Sequence, residues 1–305
     1  MASESDSLYR RYQEELPADR DKAWKLLQTY SHIPADEIEP HLRAVRDKAW
    51  AIFPYHCIGA WRFLDLYVTD LPQYPRVVER LRTGDRLLDA GCCFGYVLRQ
   101  LAADGAPADH LAGADLHQAF IDLGYELFRD RATFAAQFVA GDMLQGVDLA
   151  ADNAGAGAGA GDPALAAALD GRFDIVHAAS FFHLFNWVDQ VRLGVRVVRF
   201  FRPPPASADP DRARLLFGRQ VGTPTPTPED AAERADPAQG RFHHSPATLQ
   251  QLWDEIGQRT GTRWRVEANL VHGGWRPDVG SAEEGSGGGA KKERFVIQFA
   301  IYKVD

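Results

Sequence analysis

The chain contains little cysteine and no long apolar run. Its 305 residues include only three cysteines, two of which, Cys92 and Cys93, are adjacent, and no Cys-x-x-Cys pair is present. This spacing argues against a disulfide framework and a zinc site, and we expect no metal. No apolar stretch reaches the roughly 18 residues of a membrane-spanning helix, and the first residues lack the basic start and apolar core of a signal peptide. We therefore expect a cytoplasmic protein without a membrane span.

The chain also lacks an excess of positive charge. It has 34 lysines and arginines against 42 aspartates and glutamates, which gives a net charge of −8. Enzymes that act on nucleic acids need a basic surface to meet the phosphates, so we expect no nucleic-acid partner. One run of arginines recurs at helical spacing and is interpreted as a solvated helix face: Arg192, Arg196, Arg199 and Arg202.

Two kinds of pattern divide the chain. Residues 1–82 are helical in pattern, because apolar residues such as Leu26 and Leu27 recur on one face. We predict a helical cap there that contributes to a substrate pocket. Over residues 83–305, short apolar strands alternate with helical stretches, which predicts an α/β core with a Rossmann-like, doubly wound sheet of seven strands.

Low-complexity segments and a final pair of strands complete this organisation. Glycine-rich stretches near residues 153–162 and 280–290 are expected to be flexible loops. The runs at 264–271 and 295–302 alternate in the way that suits a closing antiparallel hairpin.

A helix with clear end signals precedes the predicted hairpin. Ser245 and Pro246 are typical of an N-cap and a first helical turn, and Gly261 is typical of a helix end. This segment is therefore predicted to be a helix.

The most informative segment is residues 86–98. An apolar strand ends at Asp89, and helical spacing resumes after Gly95. Gly91 and Gly95 allow a tight turn and close approach of the backbone to a ligand. An apolar strand that runs through a glycine turn into a helix is how α/β proteins cradle a nucleotide, so we expect a cofactor site here.

Three further predicted strands end in polar residues, Asp115, Asp142 and Ser180. In doubly wound sheets the ligand lies beyond the carboxyl ends of the strands. A carboxylate at the second strand end can accept both hydroxyls of a ribose, which suits Asp115. Because no P-loop lysine is present, the pattern favours a ligand without phosphates.

The pattern Asp-x-Gly-x-x-x-Gly at residues 89–95 resembles motif I of the class I S-adenosylmethionine (SAM) dependent methyltransferases. The resemblance implies SAM as cofactor and S-adenosylhomocysteine (SAH) as product. It implies that Asp89 lies near the methionine ammonium, that Asp115 binds the ribose and that Asp142 faces the adenine amine. The cofactor-binding residues that it implies are Asp89, Gly91, Cys92, Phe94, Gly95, Asp115, Leu116, Asp142, Met143 and Ser180.

Cys93 departs from the family pattern, which often has a glycine at this position. A cysteine carries a Cβ atom and is poorly suited to left-handed backbone. We expect Cys93 to have a negative φ, so that only Gly91 and Gly95 adopt the unusual geometry.

Longer stretches of the chain resemble fungal natural-product methyltransferases, which include enzymes that esterify carboxylic acids in meroterpenoid pathways. These stretches are residues 53–59, 61–64, 89–95, 183–185, 217–222, 244–246 and 252–253. The resemblance covers most of the chain apart from the glycine-rich loops. It implies methyl transfer to a carboxylate or hydroxyl oxygen of a lipophilic small-molecule secondary metabolite.

His183 is the candidate catalytic residue, because it follows the fourth strand and lies among aromatic residues. A carboxylate acceptor is already ionised near neutral pH and needs only to be oriented, whereas a hydroxyl benefits from a base. A histidine that is hydrogen-bonded at a helix start is the structural alternative. The candidate acceptor-binding residues are Tyr55, His56, Trp61, Phe181 and Trp187. Aromatic residues at helical spacing are more often core residues, which is the alternative for this group.

Two other classes of function stay open at this point. A methyltransferase fold can bind SAM and steer a cyclisation without moving a methyl group, and it can also be a non-catalytic binding protein. Formation of SAH in step with product distinguishes these classes. A homodimer through the helical cap is a further expectation.

Overall fold

A computed structural model describes residues 12–149, 162–203, 212–226, 240–273 and 294–304. Both expected glycine-rich loops lie outside the described residues, except for Asp162 at the end of the first. The chain forms two compact units, Met1–Gly141 and Asp142–Asp305. The helical segment expected over residues 1–82 thus belongs to the same compact unit as the first three strands, and its division as a separate domain stays a prediction.

The first unit contains six α-helices and three strands in its described part. In chain order they are α1 (Asp21–Thr29), α2 (Ala35–Ile52), α3 (His56–Gly59), α4 (Tyr74–Arg82), β1 (Leu87–Ala90), α5 (Tyr96–Ala103), β2 (Leu111–Asp115), α6 (Gln118–Phe128) and β3 (Gln137–Ala140).

The second unit contains three α-helices and four strands in its described part. In chain order they are α7 (Pro163–Leu169), β4 (Ile175–Ala178), α8 (Trp187–Phe200), β5 (Leu215–Gly222), α9 (Pro246–Thr260), β6 (Trp264–His272) and β7 (Phe295–Lys303).

The seven strands form a mixed sheet, as the sequence predicts. In the first unit the strands are parallel and lie in the order β3-β2-β1. In the second unit β4 and β5 are parallel, and β7 pairs antiparallel with both β5 and β6. The Rossmann-like α/β class and the final antiparallel pair are therefore confirmed.

A shared hydrophobic cluster joins the N-terminal helices to α6. Ile38, Leu42 and Val45 line one face of α2 and are fully buried in the same cluster as Phe120 and Leu127 of α6. Each such side chain contributes roughly 1.5 to 3 kcal/mol when it is removed from water. The amphipathic pattern of the N-terminal segment is therefore explained by packing against α6.

Packing between α8 and α9 organises the second unit. Gly194 of α8 allows Ile256 of α9 to approach so closely that a Cβ at position 194 would lie 2.1 Å from Ile256 Cδ1. The start of α9 has the predicted cap. The Ser245 N–H donates to Thr248 Oγ1 and the Thr248 N–H donates to Ser245 Oγ, which together form a capping box. Its end has Gly261 at φ +65°, also as predicted.

The arginines expected to form a solvated helix face are largely anchored instead. Arg196 of α8 is fully buried, and its Nη1 donates to Asp170 Oδ2 over 3.0 Å. Arg192 donates to the carbonyl oxygens of Leu144 and Val147. The expectation is wrong for these two residues because a carboxylate and two carbonyls lie within reach of their guanidinium groups.

Within the described ranges, no helix has both the length and the apolar character needed to cross a membrane. The same ranges contain no group of three His, Cys, Asp or Glu side chains placed to hold a metal ion.

Gly218 of β5 provides a direct test of this packing. A Cβ at position 218 would lie 2.0 Å from the backbone oxygen of Ala178 in β4, so Gly218→Ala must separate the two strands. We expect it to lower the free energy of unfolding by about 3 kcal/mol or more, at the upper end of overpacking effects. Chemical denaturation measures this loss.

Gly261→Ala is the matched control for backbone strain. Gly261 has φ +65° with no neighbouring atom within 4 Å of a Cβ, so only conformational strain is added. We expect a loss of about 1 kcal/mol. An equal loss for both variants would contradict the close approach of β4 and β5.

Candidate functional site

The loop between β1 and α5 is held against the end of β2. Gly91 and Gly95 adopt left-handed backbone, with φ +75° and +63°. The N–H groups of Gly91 and Cys92 both donate to the Ala114 carbonyl oxygen, over 2.8 and 3.0 Å. The predicted glycine turn is therefore present, and its position is set by hydrogen bonds to the neighbouring strand.

Cys93 has φ +49°, which overturns the expectation of a negative φ. Left-handed backbone costs a non-glycine residue roughly 1 to 2 kcal/mol. The Cys93 N–H donates to Asp115 Oδ2 over 2.8 Å, and this hydrogen bond to a carboxylate offsets the strain. The loop therefore keeps its geometry although the family's frequent glycine is absent.

Asp115 has the features of a ribose-binding carboxylate. Its Oδ2 accepts from Cys93 N–H, and its Oδ1 accepts from His117 N–H over 3.0 Å. Each carboxylate oxygen has two acceptor positions, so one on each oxygen can still accept a ribose hydroxyl. Burial raises the pKa of Asp115 above its ordinary value, and these two backbone hydrogen bonds counteract that rise.

Asp89 and Phe94 lie deeper in the first unit. Asp89 is the third residue of β1 and is buried. The Phe94 ring is fully buried and packs edge-on against Phe63 and Phe120, with ring centroids 5.1 and 6.1 Å away. Phe94 therefore supports the loop from within, and direct contact between its ring and a cofactor stays a prediction.

An exposed apolar edge adjoins Asp115. Leu116 is 57% exposed and Phe53 is 45% exposed. The Phe53 ring stacks on His117 with centroids 6.0 Å apart, and it lies 4.3 Å from the ring of Tyr55. Exposed aromatic and aliphatic groups beside a carboxylate suit a ligand that combines a flat apolar ring with hydroxyl groups.

The candidate acceptor-binding residues of the first unit have different environments. The Trp61 ring is fully buried, its indole N–H donates to the Gln13 carbonyl oxygen over 2.9 Å, and the Arg46 guanidinium lies 3.9 Å from the ring centroid. Tyr55 is half-buried within the exposed apolar edge described above. His56 is exposed at the start of α3. The core interpretation is favoured for Trp61, whereas Tyr55 and His56 stay candidates.

The cysteines of this region are poor nucleophiles. Burial raises the pKa of Cys57 to about 11, and it raises the pKa of Cys92 and of Cys93 well above the ordinary range. A thiol must ionise to attack. The raised pKa values therefore disfavour a nucleophilic role for these free thiols near neutral pH.

In the second unit, Asp142 and Met143 begin a turn after β3. Asp142 is exposed, and its Oδ1 accepts from Leu144 N–H over 2.8 Å, while Met143 is buried. Arg192 of α8 holds this turn through the Leu144 and Val147 carbonyl oxygens, each over 2.9 Å. No local sequence pattern predicts this anchoring role for Arg192.

The segment after β4 is strained and contains His183. Ser180 has φ +50°, and its N–H donates to the Arg219 carbonyl oxygen over 2.8 Å. His183 lies in the single 3-10 turn Phe182–Leu184, where its backbone N–H donates to Gln220 Oε1 over 3.2 Å. Non-glycine residues with positive φ often mark functional positions.

The His183 imidazole is buried without being satisfied. Its Nδ1 has no hydrogen-bond partner among the described residues, and the His243 ring centroid is 6.2 Å from its own. Burial, with a smaller effect from the nearby His243 and Arg241, lowers the pKa of His183 from 6.5 to about 3. His183 is therefore uncharged near neutral pH and has an unused polar atom. The structural alternative is a histidine that is hydrogen-bonded at a helix start. The Nδ1 atom of His183 makes no such hydrogen bond with the described residues.

The remaining candidates of the second unit pack against neighbouring aromatic residues. The Trp187 indole N–H donates to Glu255 Oε2 over 2.8 Å, and its ring lies edge-on to Phe242 at 5.0 Å. The Phe181 ring contacts Phe182 and is half-buried. Trp187 thus connects α8 to α9, and its role in acceptor binding stays a prediction.

Sequence reasoning missed a buried polar network beside His183. The His244 Nε2 lies 2.9 Å from Gln190 Oε1, and the Gln190 amide donates to the carbonyl oxygens of Phe185 and Phe242. This network connects α8 to the segment that precedes it and to the segment that precedes α9. Gln190 and His244 are far apart in sequence, so no local pattern connects them.

Comparisons by sequence find a matching family model and several related proteins. A family model described as "Meroterpenoid methyltransferase N-terminal domain" matches residues 11–64. The chain is 39% identical to O-methyltransferase atr3 of Stereocaulon alpinum over 84% of this chain and 68% of that protein. It is 36% identical to O-methyltransferase phiE of Fungal sp. (strain ATCC 74256), over 79% and 72%. It is 35% identical to the asnovolin E/chermesin D methyltransferase nvfJ of Aspergillus novofumigatus, over 81% and 80%.

Similar solved structures are more distant. Phosphoethanolamine N-methyltransferase 2 of Haemonchus contortus superposes with a TM-score of 0.45 and 14% identity, over 76% of this chain and 52% of that one. Magnesium protoporphyrin IX methyltransferase of Synechocystis gives a TM-score of 0.43 and 13% identity, over 98% and 95%.

The ribose assignment predicts the effect of Asp115→Ala. The variant removes a charged acceptor of two hydroxyl hydrogen bonds, worth about 1.5 to 3 kcal/mol, which corresponds to about a 10- to 160-fold rise in the Kd for SAM. Calorimetric titration measures the change. Asp122→Ala is the control, because Asp122 is an exposed carboxylate of α6 that pairs with Arg131. Equal affinities of the Asp115 variant and the wild type would remove Asp115 from the cofactor site.

Proposed function

This chain belongs to the family of fungal methyltransferases that includes these relatives, and we propose that it methylates a carboxylate oxygen of a lipophilic small molecule with SAM as the methyl donor. The observation that supports the carboxylate is the buried, uncharged His183 with its unused Nδ1. The printed name of the nvfJ relative and the meroterpenoid family model support a lipophilic natural product as the acceptor class.

The residues of the β1–α5 loop fit SAM as the cofactor. Asp115 would accept the ribose hydroxyls, and Leu116 would cover the purine. Gly91 and Gly95 leave the backbone of the loop open to close approach, and Asp89 would face the methionine ammonium. Bound SAM supplies an electrophilic methyl group on a sulfonium. Asp142, Met143 and Ser180 stay proposed cofactor contacts from the second unit.

His183 is suited to orienting an acceptor that is already ionised. A base with a pKa of about 3 takes up a proton poorly from a hydroxyl acceptor near neutral pH. The same neutral imidazole can donate an N–H to an oxygen of the carboxylate acceptor. This hydrogen bond would orient the carboxylate so that an oxygen lone pair faces the methyl group. Orientation of the attacking oxygen is then the main catalytic contribution of the protein. The Arg241 guanidinium adds positive potential that favours an anionic acceptor.

The proposal also covers the class of acceptor, the cellular compartment and the oligomeric state. The acceptor is a small molecule rather than a nucleic acid, which agrees with the net charge of −8. The protein works in the cytoplasm, where its free thiols stay reduced. A homodimer through the N-terminal helices stays a prediction, and analytical ultracentrifugation of the full chain tests it.

The first test is the pH dependence of acceptor turnover. His183 stays neutral and a carboxylate acceptor stays ionised from about pH 5.5 to 8, so kcat/KM for the acceptor should be flat across this range. A rise in kcat/KM between pH 5.5 and 8 would contradict this account, because it would show a base that titrates within that range. Matched lipophilic carboxylic acids and alcohols, assayed by SAH formation, provide the acceptors.

The second test compares two substitutions of His183. The amide of Asn can replace the Nδ1 position as a hydrogen-bond donor but cannot act as a base at neutral pH. We expect His183→Ala to lower kcat/KM for the acceptor by about tenfold or more, at unchanged Kd for SAM, and His183→Asn to retain most of the activity. Equal loss in both variants would favour a base, and no loss in either would make His183 structural.

SAH stoichiometry separates methyl transfer from the alternative chemistry. One SAH per product is expected for a methyltransferase. Product formed without SAH would instead indicate a cyclisation or another rearrangement that uses only the fold.

A further inference from the structure

We propose that Arg99 is a positioning residue of the cofactor loop, and that Tyr30, the residue that follows helix α1, acts on the loop through Asp130 and Arg99. The inference rests on the proposed function, because it concerns the loop between β1 and α5 as the SAM site. It adds three residues that neither the resemblance nor the relatives assign to cofactor binding.

Arg99 is the fourth residue of α5, and its side chain is a fully buried cation. Its Nε donates to Asp130 Oδ2 over 2.9 Å, and its Nη2 donates to Asp130 Oδ1 over 3.0 Å. Four aromatic rings lie with their centroids 4.4 to 5.1 Å from the guanidinium carbon, those of Tyr125, Phe128, Phe134 and Phe138. The guanidinium therefore has one carboxylate partner and an aromatic enclosure.

The remaining nitrogen of Arg99 contacts the cofactor loop directly. Nη1 donates to the Phe94 carbonyl oxygen over 3.0 Å and approaches the Gly95 carbonyl oxygen at 3.4 Å. A Cβ at Gly95 would lie 2.6 Å from this Nη1. Arg99 thus orients the two peptide groups that turn the chain from the glycine loop into α5, and in this position it leaves no room for a Cβ at residue 95.

Asp130 extends this arrangement to the N-terminal helices. The Tyr30 hydroxyl, from the residue that follows α1, donates to Asp130 Oδ2 over 2.9 Å. Burial and then the charge of Asp130 raise the pKa of Tyr30, so its hydroxyl stays protonated and remains a donor. The Tyr30 ring also packs edge-on against Phe128 and Phe134. Tyr30 lies in the segment that the family model matches, residues 11–64. This segment therefore contacts the Asp130 carboxylate, which in turn accepts from Arg99.

General energetics favour a positioning role over a purely stabilising one. A buried ion pair is often no more stabilising than apolar side chains of similar volume, because both charges lose their hydration. A planar guanidinium, however, presents donors in fixed directions to several acceptors at once. At position 99 this geometry joins one carboxylate to two loop carbonyls, which an apolar residue cannot do.

The test compares two tyrosine–aspartate hydrogen bonds, one behind the cofactor loop and one at the C-terminal end of α5. Tyr30→Phe removes the bond to Asp130 near the loop. Tyr74→Phe removes a similar bond, in which the Tyr74 hydroxyl donates to Asp104 Oδ2 over 2.6 Å just after the last residue of α5. SAH affinity is measured by calorimetry and the Tm by thermal unfolding, for both variants and for Arg99→Lys.

We expect the Kd for SAH to rise about threefold in Tyr30→Phe and about tenfold in Arg99→Lys, because both weaken charge-assisted hydrogen bonds behind the loop. Tyr74→Phe should lower the Tm by a similar amount to Tyr30→Phe while its Kd stays within about twofold of the wild type. A purely structural network would lower the Tm of all variants without this separation in Kd.

The possible failures are distinguishable. If the wild type binds SAH and the folded Tyr30→Phe variant binds it equally well, the inference is overturned and the proposed function stands. The same holds if Tyr74→Phe weakens binding as much as Tyr30→Phe. If the wild type does not bind SAH, the proposed function fails and the inference fails with it. Tyr30→Phe decides the matter if Arg99→Lys does not fold.

Discussion

The hydrogen bond from Cys93 N–H to the Asp115 carboxylate is the contact on which the cofactor site depends. It joins the glycine loop to the end of β2 and holds a cysteine in left-handed backbone. The same carboxylate accepts from His117 N–H, so the loop, the strand end and the start of α6 share one anion. A ligand diol would complete this set of donors. The Asp115 carboxylate therefore has a structural role in addition to the binding role that we propose for it.

The second unit contributes a different kind of constraint. There the chain buries a histidine whose Nδ1 has no partner in the described residues, close to a second histidine and an arginine. Leaving a polar atom unsatisfied costs free energy, and a ligand that supplies the missing partner would recover that cost. The neighbouring residues Gln190 and His244 are by contrast fully engaged with each other, which fixes the surroundings of His183. A fixed, neutral donor suits an acceptor that arrives already ionised.

Local signals in the sequence were sufficient for the elements but not for the contacts between them. Ser245 and Gly261 specify the ends of α9 because caps act within a few residues. The glycine turn after β1 could be predicted for the same reason. The left-handed Cys93 could not, since its strain is offset by Asp115, 22 residues away. Arg99 and Arg196 were equally hidden, because a buried arginine is recognised only by partners such as Asp130 and Asp170 that the fold brings close.

A crystal structure of the protein with SAH tests the central claim most directly. The account predicts both ribose hydroxyls at about 2.5 to 3.0 Å from the Asp115 carboxylate oxygens, with the hydrogen bonds from Cys93 N–H and His117 N–H retained. A ribose bound away from Asp115, or a loop in which Cys93 has moved to negative φ and released the carboxylate, would contradict it.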